Sequence, residues 1–559
     1  CVFDGTCELD TDCPVQQMCA LGQCIGRPTP RADGGLTPYT CGVACDCRLG
    51  EQCVGGLCIA DQVPTFFFTA DGGGAGSSPA QPSSDVVGVV QDAGAGAFFA
   101  LRAADTFLLS TGLKLASGQT VSGGWADCAA GRWVRDVSAT TRLIRQGAGP
   151  VLSASGTSSS LVYGVTVSGL SLTATATPCT NGLVDLLWAP NATVERVDGE
   201  FPAASCSSAA VGGELLRTDS CDGLTVRDLR LKASGNTQGQ LSAAWLKASA
   251  GRLERINIEA QGTQRAVAGV RIDGTTGLLT IDGLWVADRN ALVSDVGLLV
   301  QGCAVPGVEL RDAHVAMPRY AGATLNDFSA VVRTIGCPAL SVRESELGLV
   351  GFGGTAFPQV YGVRASNSRV TVRDVAVRLP DVPLDVARGL WSESGGWLDL
   401  DRVGVDGGAN ANEATGVRLE STSTGPNPFS HLSVDVGGNS LGSSGVYLFS
   451  VPASAGFSLT DSQLNAKAGL DARFESVGLY LYGSRGYVER SRLMATGAGS
   501  AWGLELRSSL AEVYASYLWA GPSWGGCGVC AQEPQAAVHL TFAESLVIAD
   551  STLDAQGAA

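Results

Sequence analysis

The sequence predicts an all-β protein, a parallel β-helix solenoid preceded by a small disulfide-rich module. A Gly-apolar strand start recurs from about residue 160 to the end, at intervals of roughly 25 to 33 residues, which is a period typical of solenoids. A second strand of the form apolar-x-x-small-x-apolar accompanies these starts, and both alternate apolar and polar residues with period two. Ten of the 18 cysteines precede residue 60, which indicates a separate cross-linked module.

The two halves of the repeat can be read directly along the chain. The Gly-apolar half occurs at Gly269-Val270, Gly297-Leu298, Gly362-Val363, Gly389-Leu390, Gly416-Val417, Gly445-Val446, Gly478-Leu479 and Gly503-Leu504. The second half occurs as Val342/Ser345/Leu347, Leu459/Ser462/Leu464, Val488/Ser491/Leu493, Val513/Ser516/Leu518 and Ile548/Ser551/Leu553. A unit of two or three short strands cannot bury its apolar face alone, so we expect it to stack on copies of itself as a β-helix.

Composition and charge narrow the classes of partner. The 559 residues are 45% hydrophobic and 16% charged and include 74 Gly, a balance suited to many short strands and tight turns. The net charge of −16 argues against nucleic acid and against an anionic membrane surface as partner. The sequence contains no apolar run of about 18 residues, so it predicts no membrane-spanning helix.

Residues 1–60 are predicted to form a duplicated Cys-rich module. Cys7, Cys13, Cys19 and Cys24 match Cys41, Cys47, Cys53 and Cys58 at identical spacings. Such short units lack a sufficient apolar core, so disulfides are expected to replace it. Metal binding is the alternative, but the segment has neither a CxxC pair nor a His. Cys1 and Cys45 are left over and are predicted to pair with each other.

The cysteines also indicate an oxidising, extracytoplasmic compartment. The chain starts at Cys1 without an initiator Met or a signal peptide, which suggests a processed or excerpted product. A first residue Cys fits a bacterial lipoprotein anchored by a lipid on Cys1. Lipidation would leave an odd number of thiols, so disulfide pairing of Cys1 is the competing interpretation.

Residues 61–97 are predicted to link the module to the solenoid and to cap its first coil. Pro64-Thr65-Phe66-Phe67-Phe68 is a candidate first strand. Ser83-Ser84-Asp85 is a candidate N-cap segment for a short amphipathic helix that contains Val86, Val87, Val89 and Val90. Such a helix would cover the open end of the core and block edge-to-edge pairing.

The opening coils resemble those of a known group of proteins. Phe98-Phe99-Ala100-Leu101, Leu115-Ala116-Ser117-Gly118, Val121 to Trp125 and Trp133 to Ser138 are similar to the first coils of bacterial, myxobacterial-type, secreted or surface β-helix proteins with an N-terminal Cys-rich module. The likeness is specific over about residues 61–170. It implies a right-handed parallel β-helix at or outside the outer membrane, and it implies no activity.

The solenoid is predicted to span residues 98–559 and to carry eight cysteines in four pairs. These are Cys128 with Cys179, Cys206 with Cys221, Cys303 with Cys337, and Cys527 with Cys530. The last pair is a CxxC. No βα unit surrounds it to lower a thiol pKa, so a loop staple is favoured over a redox centre.

The C-terminal end of the solenoid carries no predicted cap. Leu546 to Leu553 is a normal coil strand, and no helix or polar terminal coil follows it. A solenoid end usually needs a cover. Either the chain continues, or a neighbouring copy covers this end and builds a head-to-tail filament.

The sequence yields no catalytic, cofactor-binding or metal site and implies no cofactor. Acidic residues recur on the second strand, at Asp228, Asp312, Glu344, Asp374 and Asp401, and a solvent-facing ladder explains them more simply than catalysis does. The three histidines, His314, His431 and His539, are expected to be ordinary strand or surface residues. Motifs of polygalacturonases, serine hydrolases, zinc proteases and phosphate-binding loops are absent from the sequence.

Aromatic residues become frequent in the C-terminal third. They are Trp391, Trp397, Tyr447, Phe449, Tyr480, Tyr482, Tyr487, Trp502, Tyr514, Tyr517 and Trp519. Strand alternation places Tyr447 with Phe449, and Tyr480 with Tyr482, on one face. Because Leu448, Leu479 and Leu481 are better core candidates, the Tyr face is expected outside, as a stacking surface for sugars or a protein.

These observations favour a non-enzymatic, disulfide-rich structural or adhesin-like protein, extracellular or on the outer-membrane surface. Its expected partners are cell-surface carbohydrate or protein, or copies of itself in a filament. The alternative is a polysaccharide lyase or hydrolase of the β-helix type. Asp, Glu and Arg clustered in one groove would favour that enzyme, and their dispersal over many coils would count against it.

Overall fold

The computed structural model describes most of the chain. The described residues are 17–20, 23–26, 41, 44–47, 51–54, 57–60, 62–128, 132–147, 149–175, 182–201, 213–233, 237–260, 264–288, 291–316, 328–350, 359–381, 383–421, 427–438, 441–452, 454, 456–468, 475–497, 500–522 and 535–555. The chain divides into two compact units, residues 1–200 and 201–559.

The first unit begins with two short hairpins and continues into β-helix coils. Its strands are β1 (Gln17–Ala20), β2 (Gln23–Gly26), β3 (Glu51–Val54), β4 (Leu57–Ala60), β5 (Phe66–Phe68), β6 (Gly73–Ser78), β7 (Gln81–Ser83), β8 (Phe98–Arg102), β9 (Thr106–Leu109), β10 (Leu113–Lys114), β11 (Thr120–Cys128), β12 (Arg132–Arg135), β13 (Thr141–Arg145), β14 (Leu152–Ser155), β15 (Thr166–Ala174), β16 (Gly182–Leu187) and β17 (Thr193–Phe201). A 3-10 turn covers Ala44–Asp46, and helix α1 covers Val86–Asp92. Parallel stacking runs through β8, β11, β15 and β17, and through β10, β14 and β16.

The disulfides of this unit confirm a cross-linked module and correct two predicted pairs. Cys41 pairs with Cys53, and Cys47 with Cys58. Cys45 pairs with Cys128, so the predicted pairs of Cys45 with Cys1 and of Cys128 with Cys179 are wrong. The cause is the hairpin of β11 and β12, which carries Cys128 to the module, where β12 pairs with β3.

The predicted helix and first strand are both present. Asp85 is the N-cap of α1, and its Oδ1 accepts a hydrogen bond from the backbone N–H of Gly88 at 2.9 Å. Val86 and Val90 form the buried side of the helix. The domain boundaries at residues 60 and 97 and the capping role of α1 stay predictions.

The second unit consists of parallel β-helix coils. Its strands are β18 (Glu214–Asp219), β19 (Leu224–Ala233), β20 (Thr237–Lys247), β21 (Gly251–Ala260), β22 (Gln264–Asp273), β23 (Leu279–Asp288), β24 (Ala291–Gln301), β25 (Val308–Ala316), β26 (Phe328–Ile335), β27 (Leu340–Val350), β28 (Gln359–Ser366), β29 (Arg369–Leu379), β30 (Leu384–Glu393), β31 (Trp397–Gly407), β32 (Ala411–Glu420), β33 (Asn427–Ser430), β34 (Ser433–Gly438), β35 (Gly442–Phe449), β36 (Phe457–Thr460), β37 (Gln463–Ala468), β38 (Ser476–Tyr482), β39 (Arg485–Glu489), β40 (Arg492–Gly497), β41 (Ala501–Arg507), β42 (Leu510–Tyr514), β43 (Tyr517–Pro522), β44 (Gln535–Thr541), β45 (Ser545–Ala549) and β46 (Thr552–Ala555).

Two parallel stacks of strands form the walls of these coils. The first, here called the groove sheet, runs in the order β18, β20, β22, β24, β26, β28, β30, β32, β35, β38, β41 and β44. The second stack consists of the odd-numbered strands from β19 to β31. After β31, each coil contributes two shorter strands separated by a bend, as in β33 and β34. The predicted parallel β-helix is therefore confirmed. Among the described residues, no helix is long and apolar enough to cross a membrane.

The small residue of the repeat forms an internal serine ladder. Ser491 Oγ accepts a hydrogen bond from the N–H of Ser462 at 3.2 Å and donates one to the carbonyl of Glu489 at 2.8 Å. Both contacts recur at Ser462 one coil earlier, at Ser516 one coil later and at Ser551 two coils later. Each hydroxyl thus satisfies two backbone groups at a bend inside the coil, where a larger side chain would not fit.

The recurring glycines are explained by close packing inside the coil. A Cβ at Gly389 would lie 2.4 Å from Val405 Cγ1 and 2.5 Å from the carbonyl oxygen of Gly416. A Cβ at Gly416 would meet Val434 and Gly445 in the same way. These contacts are too short for any side chain, so the Gly-apolar repeat marks a point where strands of opposite walls touch.

The solenoid cysteines give a mixed outcome. Cys303 and Cys337 form the predicted disulfide. Cys221 is buried, whereas its predicted partner Cys206 lies outside the described residues. Cys527 and Cys530 also lie outside them.

Candidate functional site

The acidic residues noted in the sequence lie at an exposed bend of the second stack. Charged residues with a positive φ recur at one equivalent position of these coils. They are Asp228, Arg255, Asp312, Glu344, Asp374, Arg402, Asp461 and Arg490. This set is called the corner ladder. Arg255 contacts Asp228 at 2.5 Å, and Arg490 contacts Asp461 at 2.8 Å. The predicted solvent-facing ladder is present, except that Asp401 lies one position earlier, opposite Arg373.

Two of the three histidines lie on this wall beside carboxylates. His314 Nε2 is 3.2 Å from Asp312 Oδ1, and His431 Nδ1 is 3.0 Å from Asp401 Oδ1. His539 is different. It lies on the groove sheet and stacks on Trp502 with ring centroids 4.1 Å apart.

The groove sheet carries a second set of stacked positions on its outer face. Alignment of the coils on their inward glycines gives one outward ladder two residues after each glycine position: Arg217, Trp245, Arg271, Leu299, Arg333, Arg364, Trp391, Arg418, Tyr447, Tyr480, Glu505 and His539. The residues just before the glycines form another, which includes Tyr361, Arg388, Thr415, Ser444, Val477 and Trp502.

The two outward ladders converge because two successive residues between them face inward. Gly445 would place a Cβ 2.9 Å from Leu464 Cβ of the opposite wall, and its neighbour Val446 is fully buried. The side chains of the two ladders, on either side of this inward pair of residues, therefore lean towards each other. Tyr361 and Trp391, one from each ladder, have ring centroids 5.1 Å apart. The concave strip between the ladders is called the outer groove.

Arginine and aromatic side chains alternate along the outer groove. Trp391 lies between two guanidinium groups, with the Arg364 and Arg388 Cζ atoms 4.4 and 4.6 Å from its ring centroid. Tyr447 and Tyr480 stack at 4.6 Å, with the Cζ of Arg418 4.5 Å from the Tyr447 ring. These contacts fix the direction of side chains that would otherwise be mobile in solvent.

Each of these arginines is also paired with a glutamate. Arg388 Nη2 and Arg418 Nη1 both contact Glu413 Oε1, at 3.0 and 2.9 Å. Arg418 also pairs with Glu420, and Arg364 pairs with Glu393. The charges in this part of the outer groove are therefore balanced locally.

A concavity of about 320 Å³ opens in the outer groove between β32 and β41. Its walls include Glu413, Arg418, Tyr447, Glu475 and Arg507. Gly442 lies at the floor of this concavity. It pairs with Glu413 of one neighbouring coil and lies against the backbone of Glu475 of the other. Glu413 and Glu475 therefore belong to the two coils on either side of a residue without a side chain.

Glu475 has a buried acidic neighbour, Glu505. Arg507 connects them, with its Nε 2.6 Å from Glu505 Oε1 and its Nη2 3.1 Å from Glu475 Oε2. Glu505 is fully buried, and its Oε2 has no hydrogen-bond donor among the described residues. Burial and, secondarily, the charge of Glu475 raise the pKa of Glu505 to about 7. Burial lowers the pKa of the adjacent His539, which favours its neutral form.

The C-terminal aromatic residues do not share one surface. Leu448, Leu479 and Leu481 are fully buried, and Phe449 and Tyr482 face outward, 38% and 39% exposed and stacked at 4.9 Å. Tyr447 and Tyr480 also face outward, but neighbouring side chains largely cover Tyr480. Others lie on different strands of the second stack, namely Trp397, Tyr487, Tyr514, Tyr517 and Trp519.

Sequence reasoning missed the glutamates and arginines of the outer groove. These glutamates and arginines belong to the Gly-apolar half of the repeat, whereas the acidic residues singled out in the sequence belong to its second half. A signal was available in the spacing. Glu413, Gly442 and Glu475 each precede a repeat glycine by three residues, and Arg418, Tyr447, Tyr480 and Glu505 each follow one by two.

Comparison with known proteins found similarity to solved structures alone. No model of a known protein family matches it, and no curated protein matches it. The structure is similar to the tailspike protein of E. coli bacteriophage HK620 in complex with a pentasaccharide, at 8% identity and a TM-score of 0.30, over 84% of this chain and 78% of that one. It is also similar to the PL6 family alginate lyase AlyGC, at 10% identity and a TM-score of 0.15, over 84% of this chain and 98% of that one.

Proposed function

We propose that the second unit binds a neutral polysaccharide along the outer groove. The observation that carries this proposal is the concavity between Glu413 and Glu475, lined by stacked tyrosines and by arginine–glutamate pairs. Aromatic rings offer flat apolar surface to sugar rings, and the charged pairs offer hydrogen-bond donors and acceptors to hydroxyl groups. The parallel coils repeat these groups at the spacing of strands, which suits a ligand that is itself a linear repeat.

The charge balance favours a neutral polymer over a polyanion. Arg364, Arg388, Arg418 and Arg507 all have carboxylate partners, so none presents an uncompensated charge. The whole chain carries a net charge of −16, which repels polyanions at long range. Neutral hydroxyl-rich chains meet no such barrier.

A polysaccharide array tests the proposal with the full chain. The array holds neutral polymers (galactomannan, β-glucan, arabinogalactan, xyloglucan) and anionic ones (alginate, polygalacturonate, hyaluronan). We expect binding to at least one neutral polymer, and Tyr447→Ala should weaken it by about 10-fold, since stacking and pocket shape are both lost. Trp285→Ala is the matched control, because Trp285 is 47% exposed but lies on β23, outside the outer groove. Binding only to polyanions, or to none of the polymers, would overturn the proposal.

An extracellular or cell-surface location is part of the same proposal. The disulfides of the first unit support it, because such bonds persist in oxidising compartments. So does the resemblance to bacterial surface β-helix proteins. The intact mass of native protein decides whether Cys1 carries a lipid: an added diacylglycerol and acyl chain would establish the anchor, and an unmodified Cys1 would exclude it.

Head-to-tail self-association stays a second proposal. The described strands β45 and β46 pair with β42 and β43 on one side, and the side chains near them include Phe542 and Leu553, 89% and 50% exposed. A neighbouring copy would bury this surface. Electron microscopy of native material tests the idea: filaments with an axial repeat near one molecular length would support it, and isolated particles would contradict it.

The sequence favours binding without catalysis, and one observation favours the enzymatic alternative. Three glutamates and three arginines, Glu413, Glu475, Glu505, Arg388, Arg418 and Arg507, lie in one groove. They lie on the coils of β30, β32, β38 and β41. Polysaccharide hydrolysis is therefore the second candidate function.

A further inference from the structure

We propose that Phe449 and Tyr482 form a subsite for a single-sugar branch of the polysaccharide, beside the concavity that holds its main chain. The inference rests on the proposed binding function and narrows its ligand to a branched neutral polymer. The two rings are exposed and stack on each other, with centroids 4.9 Å apart and planes 11° apart. This ring pair is called the aromatic ledge.

The aromatic ledge interrupts a ladder that is otherwise almost entirely polar. Its position comes two residues after the outward ladder that contains Tyr447 and Tyr480. The other coils of the groove sheet have at this position Asp219, Lys247, Asp273, Gln301, Ile335, Ser366, Glu393, Glu420, Arg507 and Thr541. Within the described strands of this sheet, rings occupy the position only in the two coils that also carry Tyr447 and Tyr480. An exposed ring pair that coincides with the concavity indicates a contact surface.

The aromatic ledge and the concavity share their flanking side chains. Arg418 lines the concavity and pairs with Glu420, which is the neighbour of Phe449 in the preceding coil. Arg507 also lines the concavity, and it is the neighbour of Tyr482 in the following coil. The ledge is therefore continuous with the concavity and is bounded by one acidic and one basic side chain, which offer hydrogen bonds to sugar hydroxyl groups.

The backbone under the ledge is fixed by hydrogen bonds between coils. The carbonyl of Phe449 accepts a hydrogen bond from the N–H of Ser421 at 3.0 Å. The carbonyl of Tyr482 accepts one from the N–H of Ser450 at 2.8 Å and a second from Ser484 Oγ at 2.8 Å. A surface that is already ordered loses little conformational entropy when a sugar binds, so the ledge is preorganised for its ligand.

The place of the ledge decides which part of a polysaccharide can reach it. A main chain that follows the outer groove passes from coil to coil. The ledge lies beside this path, because its residues come two positions after Tyr447 and Tyr480 on the same strands, roughly 7 Å away. An unbranched chain can follow only one of these two tracks, whereas a sugar linked to the main chain can reach across to the second. The rings then offer apolar surface to that sugar.

Matched pairs of branched and unbranched saccharides test the proposal with the full chain. The pairs are galactomannan before and after α-galactosidase treatment, arabinogalactan before and after arabinofuranosidase treatment, and xyloglucan heptasaccharide with cellotetraose. We expect the unaltered protein to bind the branched member of at least one pair about fivefold more tightly than the unbranched member, the contribution of one aromatic contact.

Variants assign this preference to the ledge. Phe449→Ala and Tyr482→Ala should each remove the preference and change the affinity for the unbranched member by less than about twofold. Tyr482→Phe retains the ring and should retain the preference. Tyr447→Ala should weaken both members alike, because Tyr447 lines the concavity. Tyr487→Ala is the matched control, since Tyr487 is similarly exposed but lies on β39 of the second stack.

The outcomes separate the subsite from the binding function. Equal affinity of the unaltered protein for both members of every bound pair, or binding to unbranched β-glucan alone, would overturn the subsite and leave binding in the outer groove intact. An unchanged preference in both alanine variants, or an equal loss for both members, would also overturn it. Absence of binding to every polymer would overturn both proposals. Sedimentation of the unaltered protein and of Phe449→Ala checks the other occupant: a dimer that the substitution dissociates would make the ledge a contact between copies and would overturn the sugar subsite.

Discussion

The corner ladder and the outer groove are built from the same residue types at stacked positions, yet their environments differ. In the corner ladder, Arg490 pairs with Asp461 and with Glu489, and the side chains of Asp461 and Arg490 are 37% and 50% exposed. In the outer groove, Arg507 serves both Glu475 and Glu505, of which the second is fully buried. Water screens the first pair and is excluded from part of the second. Stacked charges in a solenoid thus differ in burial according to the wall of the coil on which they lie.

The two regions also respond to pH in opposite directions. Hydrogen bonds from Arg490 lower the pKa of Asp461, whereas burial raises that of Glu505. A carboxyl with a lowered pKa stabilises the fold above its unfolded pKa and loses that contribution as the pH falls. A carboxyl with a raised pKa stabilises the fold at low pH and loses that contribution as the pH rises.

The largest expected effect comes from removing the shared cation. Arg507→Gln should lower the free energy of unfolding by about 3 kcal/mol at pH 8, because buried Glu505 loses its counter-ion and must either take up a proton or stay charged without it. Arg490→Gln, the corner control, should leave the denaturation midpoint within error. Urea titrations of both variants measure the difference. Equal losses would show that the two regions do not differ in burial as described.

The next effect is the pH dependence of stability. The pKa of Glu505 rises from 4.5 to about 7 on folding, so the unaltered protein should lose up to about 3 kcal/mol between pH 4.5 and 7 through this group. Glu505→Gln should remove that loss and flatten the curve in this window. Asp461→Asn should instead change the curve only below about pH 4. Unfolding free energies at half-unit pH steps would distinguish the two, and an unchanged slope in Glu505→Gln would contradict the assignment.

A smaller effect is expected from filling the gap between the glutamates. Gly442 has φ +100°, and a Cβ there would lie 2.3 Å from the carbonyl oxygen of Glu475. Gly442→Ala should therefore cost about 1–3 kcal/mol of stability and weaken polysaccharide binding. Gly404→Ala is the matched control near the corner ladder, because nothing lies within 4 Å of its Cβ. Similar melting temperatures for the two variants would contradict the tight packing at Gly442.

The smallest effect should come from the corner ladder itself. Asp374 and Arg402 form an exposed pair at 2.5 Å. Asp374→Asn should leave both the melting temperature and array binding within experimental error, because solvent replaces the lost contact. A clear loss of binding in this variant would place the ligand on the corner ladder and not in the outer groove.

The repeat could be recognised in the sequence because the packing and hydrogen-bonding constraints that produce it act at the same points of every coil. Inward glycines such as Gly389 leave no room for a side chain, and bend serines such as Ser491 satisfy two backbone groups, so both recur at fixed points of each coil. The pair of Cys303 and Cys337 could be predicted because it joins neighbouring coils. The bond between Cys45 and Cys128 could not, since it depends on a hairpin that leaves the coil.

The outer groove was hidden for a different reason. Glu413, Glu475 and Glu505 lie on three different coils, and Glu505 does not share the repeat position of the other two. Their proximity depends on side chains from adjacent ladders leaning together, which no single period reveals. The pKa of Glu505 depends on its burial beside Glu475, a property of the packed coils and not of any short motif.

The inward glycines have a consequence for how such a protein can change over generations. Each coil brings its own glycine, and with it one outward position in each ladder of the outer groove. Duplication of one coil in the gene would therefore lengthen the groove by one strand spacing, about 4.8 Å, and leave the neighbouring coils as they were. The number of sugar units held would follow from copy number, and a new specificity could arise by changing one rung at a time.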